Sequence, residues 1–266
     1  MTTAAKAKKR SLPQWMVAVK EQQERDKPFK SPQNFTDSLK VKKVQTVEHG
    51  VSKIGCQSAS DIISEDMPWL KFEGSITYSY HESDCACICQ DILSRLGRDL
   101  PPVTVIGFDT EWPVTYNKGL PKKTAVIQMC LSKKECYLFH VSCMSTIPKP
   151  LQSVILDKRV ILVGVNIESD LWKLERDYDL KVKPAIDQET VVDLSKLANV
   201  KLKSSERWSL DGLCRNVLRK RLDKDRDLRC GNWDDYPLSK DQKMYASNDA
   251  FASLELYTCL ASREKS

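Results

Sequence analysis

Apolar residues are sparse over residues 1–65 and become periodic from about Asp66. The first stretch, polar with scattered Lys, Gln and Ser, predicts a largely disordered segment with a short helix around Trp15–Arg25. Beyond it, "GSITYSY" (74–80) alternates as a half-buried strand does, and "SDCACICQDILSRL" (83–96) predicts a helix capped by Ser83. "VTVIGFDTEW" (103–112) predicts the next strand. "TAVIQMCL" (124–131) and "ECYLFHV" (135–141), joined by a short polar turn, predict a hairpin. Strand and helix then alternate. "RVILVGV" (159–165) is an apolar strand, "ESDLWKLERDY" (168–178) a helix and "TVVDL" (190–194) another strand. "SLDGLCRNVL" (209–218) places Leu210, Leu213, Cys214, Val217 and Leu218 on one helical stripe. The last helix opens on a capping box of Ser239 and Gln242 and runs to about Ser262. A hairpin-containing sheet followed by strand–helix units implies one mixed α/β domain over residues 66–262.

Charge changes the picture mainly for the tail. Of the net +6, residues 1–65 carry 12 Lys+Arg against 7 Asp+Glu, leaving 30 against 29 for the rest. A basic tail suits a polyanionic partner or nuclear import, for which "KAKKR" (6–10) is the candidate signal. The N-terminus has no apolar core of a secretory signal, and no apolar run reaches the ~18 residues of a membrane span. The ten cysteines include "CACIC" (85–89), whose spacing does not match the paired ligands of a zinc site. They read as buried free thiols of a reducing compartment, nucleus or cytosol.

Three acidic segments stand out. Asp109 and Glu111, two apart at the end of an apolar strand, point to one face and offer two hard oxygen ligands for Mg²⁺ or Mn²⁺. Read alone, the pair also fits a solvated strand end. Asp170 follows the strand ending near Val165, at the start of a helix, where an acid also serves as a dipole partner. Tyr245 and Asp249, four apart on the final helix, share a face and also fit a structural hydrogen-bonded pair.

Taken together, D-x-E on a strand, N-x-x-x-D (Asn166 to Asp170) after a later strand and Y-x-x-x-D on a later helix resemble the proofreading-type 3′–5′ exonucleases with four acids and a catalytic tyrosine. "GSITYSYHESDC", "VIGFDTEWPVTYNKG", "AVIQMCLSKKECYLFHVSCMS" and "LRCGNWDDYPLSKDQKMYASNDA" narrow the resemblance to the Werner-type branch of that family. It covers about residues 66–262. The resemblance implies a ribonuclease H-like, DnaQ-like fold, a mixed sheet flanked by helices. It also implies two divalent cations, Mg²⁺ or Mn²⁺, about 3.5–4 Å apart at the scissile phosphate. On that pattern Asp109 bridges both ions, Glu111 and Asp249 hold the ion on the water side, Asp170 binds the second ion, and Tyr245 hydrogen-bonds the attacking water. Glu111 also touches the nucleophile or the terminal sugar.

The implied substrate is DNA with a recessed 3′ end, in repair, replication or genome maintenance. No G-x-x-x-x-G-K-[ST] phosphate loop occurs, so a RecQ-type helicase would act from a separate chain. Lys118, Lys122 and Lys123 in the loop after the D-x-E strand are candidates for steering a nucleic-acid strand. Arg207, Arg215, Arg219 and Arg229 are candidates for tracking its backbone, with Arg215 and Arg219 on one helical face. Trp172 is either a stacking group for the terminal bases or a core residue, and Trp112 and Trp233 read as packing residues. The motifs do not separate DNA from RNA, so an RNA-trimming enzyme resembling ribonuclease D is the alternative. A catalytically inactive binding module is the third reading, and it conflicts with the presence of all four acids and the tyrosine.

Overall fold

The computed structural model describes residues 67–114 and 122–263. The basic segment 1–65, its expected helix and Lys118 lie outside them. Six strands form one sheet in the order β1-β4-β3-β2-β5-β6. These are β1 (Ser75–Ser79), β2 (Thr104–Glu111), β3 (Val126–Cys130), β4 (Glu135–Phe139), β5 (Val160–Gly164) and β6 (Val191–Asp193). Only β3 runs against the others: the expected hairpin pairs Cys130 with Cys136, and β3 pairs antiparallel with β2 on its other side. β3 and β5 are buried at every residue, as strands covered on both faces should be.

Helices cover each face. One core packs under α1 (Glu82–Arg95), α2 (Lys149–Leu156) and α3 (Ile167–Tyr178). The other packs under α5 (Leu194–Leu202), the segment 210–218 and the long terminal helix. Two short helices, α4 (Lys183–Asp187) and α7 (Arg226–Arg229), pack on the first and second core through Ile186 and Leu228; segment 210–218 begins with α6 (Leu210–Leu213), and α8 (Lys240–Ser262) ends the fold. No helix of the described residues is long and apolar enough to cross a membrane.

α8 fixes the relation of sheet to site. Its start is set by the expected capping box, in which Ser239 accepts from the Gln242 N–H and the Gln242 side chain accepts from the Ser239 N–H. From Tyr245 to Leu260 it is buried almost all round, so it is a core helix rather than an amphipathic cover. It lies directly on β2 because Gly107 has no side chain: a Cβ there would fall 2.0 Å from the Ala250 carbonyl oxygen.

Several expectations are corrected. α1 starts at Glu82 with His81 as its N-cap, and Ser83 gives no cap bond. The Glu82 carboxylate instead accepts from the Ser145 and Thr146 hydroxyls, which ties the first turn down one residue early. The segment 190–194 is a strand only to Asp193, whose carboxylate accepts from the Ser195 and Lys196 N–H groups and starts α5. The helix over 209–218 is α-helical only through α6 and then widens into a π turn over Cys214–Leu218, with Arg219 left-handed at φ 55°. Asp211 draws the chain back here by accepting from the Leu222 N–H (3.1 Å) and Arg215 Nε (2.8 Å). Arg215 and Arg219 therefore do not share a helical face. Cys87 and Cys143 are exposed, whereas Cys85, Cys89, Cys130, Cys136 and Cys214 are buried, and the described cysteines are all free thiols.

Candidate active site

Three elements deliver the acids. β2 alternates, so Asp109 and Glu111 emerge on the α8 face, beyond Gly107. α8 presses on Gly107 through Ala250, which brings the adjacent Asp249 to the same point. Asp109, Glu111 and Asp249 each place a carboxylate oxygen within 4.8 Å of the others. Asp170 arrives separately. After β5 the chain turns at Asn166, left-handed at φ 59°, a conformation asparagine tolerates well, and the Asn166 side chain accepts from the Ser169 hydroxyl. The turn launches α3 across the strand ends, so that Asp170 sits buried on its first turn, outside the close triple.

The electrostatics of the four acids are unbalanced. Burial is the first cause for each, and it raises Asp109 to about 6 and Asp170 to about 8, where the Asp109 charge adds to it. Glu111 is pushed well up by burial and then by Asp109, Asp249 and Asp170, with Arg229 as the opposing charge. Asp249 is pushed up by burial and Asp109, against a hydrogen bond from Tyr245. Burial and the neighbouring acids push the Tyr245 phenol up too, so it is neutral at any physiological pH.

Two other acids, the buried Asp211 and the half-buried Asp177, show the opposite balance. Asp211 is desolvated as well, yet the Leu222 N–H, Arg215 and Lys224 hold it below its ordinary value. Asp177 is likewise held down by Lys173 (2.8 Å) and the Thr124 N–H (2.7 Å). Among the described residues, the ion pairs go to acids such as these and not to the four at the strand ends. A close set of carboxylates, Asp109 and Glu111 half-buried and Asp249 buried, with no ion pair of its own has the hard-oxygen chemistry of a Mg²⁺ or Mn²⁺ site. Asp109, Glu111 and Asp249 would hold that ion.

A cleft opens over the site, lined by Asp109, Tyr245 and Asp249 together with Ser209, Lys224 and Arg229. Of the expected strand contacts among the described residues, Arg229 alone lines it. Arg215 is committed to Asp211 (2.8 Å). Arg207 and Arg219 are exposed elsewhere. Lys122 pairs with Asp234 (3.4 Å), and Lys123 lies over the Tyr178 ring (5.4 Å). Trp172 is 43% exposed, which corrects the core reading for it, whereas Trp233 is fully buried and packs against Tyr245 with ring centroids 6.1 Å apart. Lys224, not among the expected contacts, comes to the cleft because Asp211 holds it (3.2 Å), a contact that spacing along the chain does not reveal.

A mixed sheet with desolvated acids gathered at its strand ends and a tyrosine beside them defines a ribonuclease H-like, metal-dependent nuclease fold. The comparisons narrow this. The 3′–5′ exonuclease family profile matches residues 86–263, and the chain belongs to that family, the DnaQ-like 3′–5′ exonucleases, which work with divalent cations. It is 46% identical over 196 residues to the mouse "Bifunctional 3′-5′ exonuclease/ATP-dependent helicase WRN", covering 74% of this chain and 13% of the mouse protein. A "3′-5′ exonuclease" of Drosophila ananassae is 34% identical over 201 residues, 76% of this chain and 56% of the fly protein. The chain thus matches little more than half of the fly relative and a small part of the mouse one. In fold it is similar to the Aedes aegypti Nibbler EXO domain, with TM-score 0.57, 20% identity and coverage of 73% of this chain and 91% of that one. It is also similar to the catalytic core of RRP6 from Trypanosoma brucei, with TM-score 0.55, 19% identity and coverage of 73% and 49%.

Proposed function

We propose that this chain removes nucleotides one at a time from the 3′ ends of DNA. The observation that carries the reading is the convergence of Asp109, Glu111 and Asp249 within 4.8 Å under a cleft that Tyr245 also lines. These three acids would hold Mg²⁺ or Mn²⁺, and Asp170 completes the acid set. Two such cations, when bound, lower the pKa of an attacking water and stabilise the departing 3′ oxygen. Water adds to the phosphorus, the P–O3′ bond breaks, and the departing oxygen takes the proton. A nucleoside 5′-monophosphate leaves, and the strand keeps a new 3′ hydroxyl.

Tyr245 acts as a neutral phenol: it orients the incoming water beside Asp249 rather than acting as a base. Arg229 and Lys224 at the cleft receive backbone phosphates, contacts that are sequence-independent and salt-dependent. Exposed Trp172, two residues after Asp170, stacks on or wedges against the terminal bases. The cleft over these residues has a volume of about 260 Å³.

DNA as substrate rests on the Werner-type resemblance, supported by the 46% identity to the mouse relative, and not on the motifs. A role in genome maintenance likewise rests on that resemblance, a nuclear location on the basic "KAKKR" segment, and a RecQ-type helicase is the candidate partner. The test is Mg²⁺- or Mn²⁺-dependent digestion of matched DNA and RNA duplexes with recessed, labelled 3′ ends. Mononucleotide release from DNA is expected. Release from RNA alone would replace this reading with 3′-end RNA trimming, and release from neither would leave a binding module.

A further inference from the structure

Gln128 is the exception on an otherwise apolar strand. It sits at the centre of β3, fully buried, and neither its Nε2 nor its Oε1 has a hydrogen-bond partner. Thr110 Oγ1, beside Asp109, is likewise without a partner, whereas the buried His140, Asn248 and Ser247 side chains are satisfied. His140 meets the Tyr78 hydroxyl at 2.7 Å and the Trp233 carbonyl at 2.9 Å. Asn248 accepts from the Phe72 N–H at 2.8 Å, and the Ser247 hydroxyl donates to the Lys243 carbonyl at 2.8 Å. A methionine or leucine would fill the Gln128 site at no polar cost, so the amide needs a reason.

Register supplies one. Gln128 stands directly opposite Asp109 in the antiparallel β2–β3 pair, on the face that α8 covers. Such partners hold their Cβ atoms ~4.5–5.5 Å apart, within reach of one another's side chains. Asp109 Oδ1 accepts from the Thr110 N–H at 2.9 Å, and a carboxylate has capacity for further donors. No other side chain opposes Asp109 from β3.

We propose that Gln128 is a positioning residue for the acid cluster. Its amide N–H donates to the Asp109 carboxylate and fixes that side chain when a cation is held, at the expense of an unsatisfied amide in the metal-free chain. The inference rests on the nuclease reading of the site. The test uses the full chain with Gln128→Met and Gln128→Leu. Thermal unfolding is followed in EDTA, and Mn²⁺ binding by the electron paramagnetic resonance signal of free Mn²⁺. Removing an unsatisfied amide should leave the metal-free midpoint at or above wild type, by about 2–4 °C. Losing the outer partner of a ligand should weaken Mn²⁺ binding ~10–100-fold. A purely structural glutamine predicts another pattern, a lower midpoint in EDTA, and that result in both variants overturns the proposal. Variants that bind Mn²⁺ as wild type does overturn it whatever their stability. Wild-type chain that binds no Mn²⁺ overturns both the proposal and the metal-site reading beneath it.

Discussion

Gly107→Ala should disable the site without touching any acid. An ideal Cβ at residue 107 would lie 2.0 Å from the Ala250 carbonyl oxygen and 2.9 Å from the Leu254 nitrogen, both backbone atoms of α8 that no rotamer change can move. Real contacts of this kind stay beyond 3.0 Å, so α8 must retreat from β2 by about 1 Å. Ala250 follows Asp249 directly, so the retreat draws Asp249 away from Asp109 and Glu111. Overpacking of this size costs about 1–3 kcal/mol, or ~2–4 °C of midpoint for each kcal/mol in a domain of this length. A displacement of ~1 Å at a reacting centre costs ~10²-fold in rate, about 2.7 kcal/mol of barrier. The assay is single-turnover release of the 3′ nucleotide with saturating Mn²⁺, at a temperature where the variant is folded. Ile161→Val, in the same core, is the control, because it should lower stability by about 0.5–1.5 kcal/mol while leaving α8 in place. If Gly107→Ala loses no more activity than Ile161→Val, the glycine does not set the helix-to-strand distance and the reasoning fails.

Raising pH should destabilise the metal-free chain. Asp109 and Asp170 have folded values of about 6 and about 8 against an ordinary 3.8, so the folded state holds their protons more tightly than the unfolded state. Their stabilising effect is complete below pH ~4 and is lost as pH climbs towards 8; Asp109 alone accounts for about 3 kcal/mol. Saturating Mg²⁺ should cancel the decline, and a midpoint in EDTA that stays flat from pH 5 to 8 would contradict the balance described for the cluster. Asp109→Asn should abolish nucleotide release without lowering the EDTA midpoint at pH 8. Tyr245→Phe should slow turnover by ~10²-fold while keeping Mn²⁺ affinity, and an equal loss of affinity in the two variants would remove the water-orienting role of Tyr245. Arg229→Ala should lower the salt slope of substrate binding by about 1, whereas Arg215→Ala should lower stability and leave that slope alone. The reverse pattern would restore Arg215 as a strand contact.

What could be read from the chain, and what could not, follows from the range of the forces involved. Periodicity is local, so the apolar runs of β2, β3 and β5, the hairpin and the capping box of α8 were all readable. The short helices α4 and α7 lie in polar stretches with little periodicity, and α5 is started by Asp193 at the end of a strand, so none of them stood out. The π turn is a tertiary product. Leu213, Cys214 and Val217 lie on the buried stripe their spacing predicts, yet the helix opens because Asp211 is bonded to Leu222, eleven residues on. The same carboxylate pairs with Arg215, which does not line the cleft, and with Lys224, which does. A basic residue counted in a sequence can meet a phosphate only if the fold brings it to the cleft, as it brings Lys224 and Arg229.

The acids obey the same logic in reverse. Asp211 and Asp177 are desolvated, yet the chain spends N–H groups and cations on them, and their values fall. At the strand ends it spends too little: Asp109 accepts from the Thr110 N–H, yet no ion pair among the described residues reaches Asp109, Glu111 or Asp249, and their values rise. A fold able to satisfy two desolvated acids with its own groups could have satisfied these by the same means. Leaving them mutually repelling keeps stability in hand that only an incoming divalent charge recovers, so binding free energy at this site is partly folding free energy. That coupling explains why the acid pair sits beyond an apolar strand rather than on a loop: the strand, held on both faces, resists the relaxation by which the carboxylates would otherwise move apart.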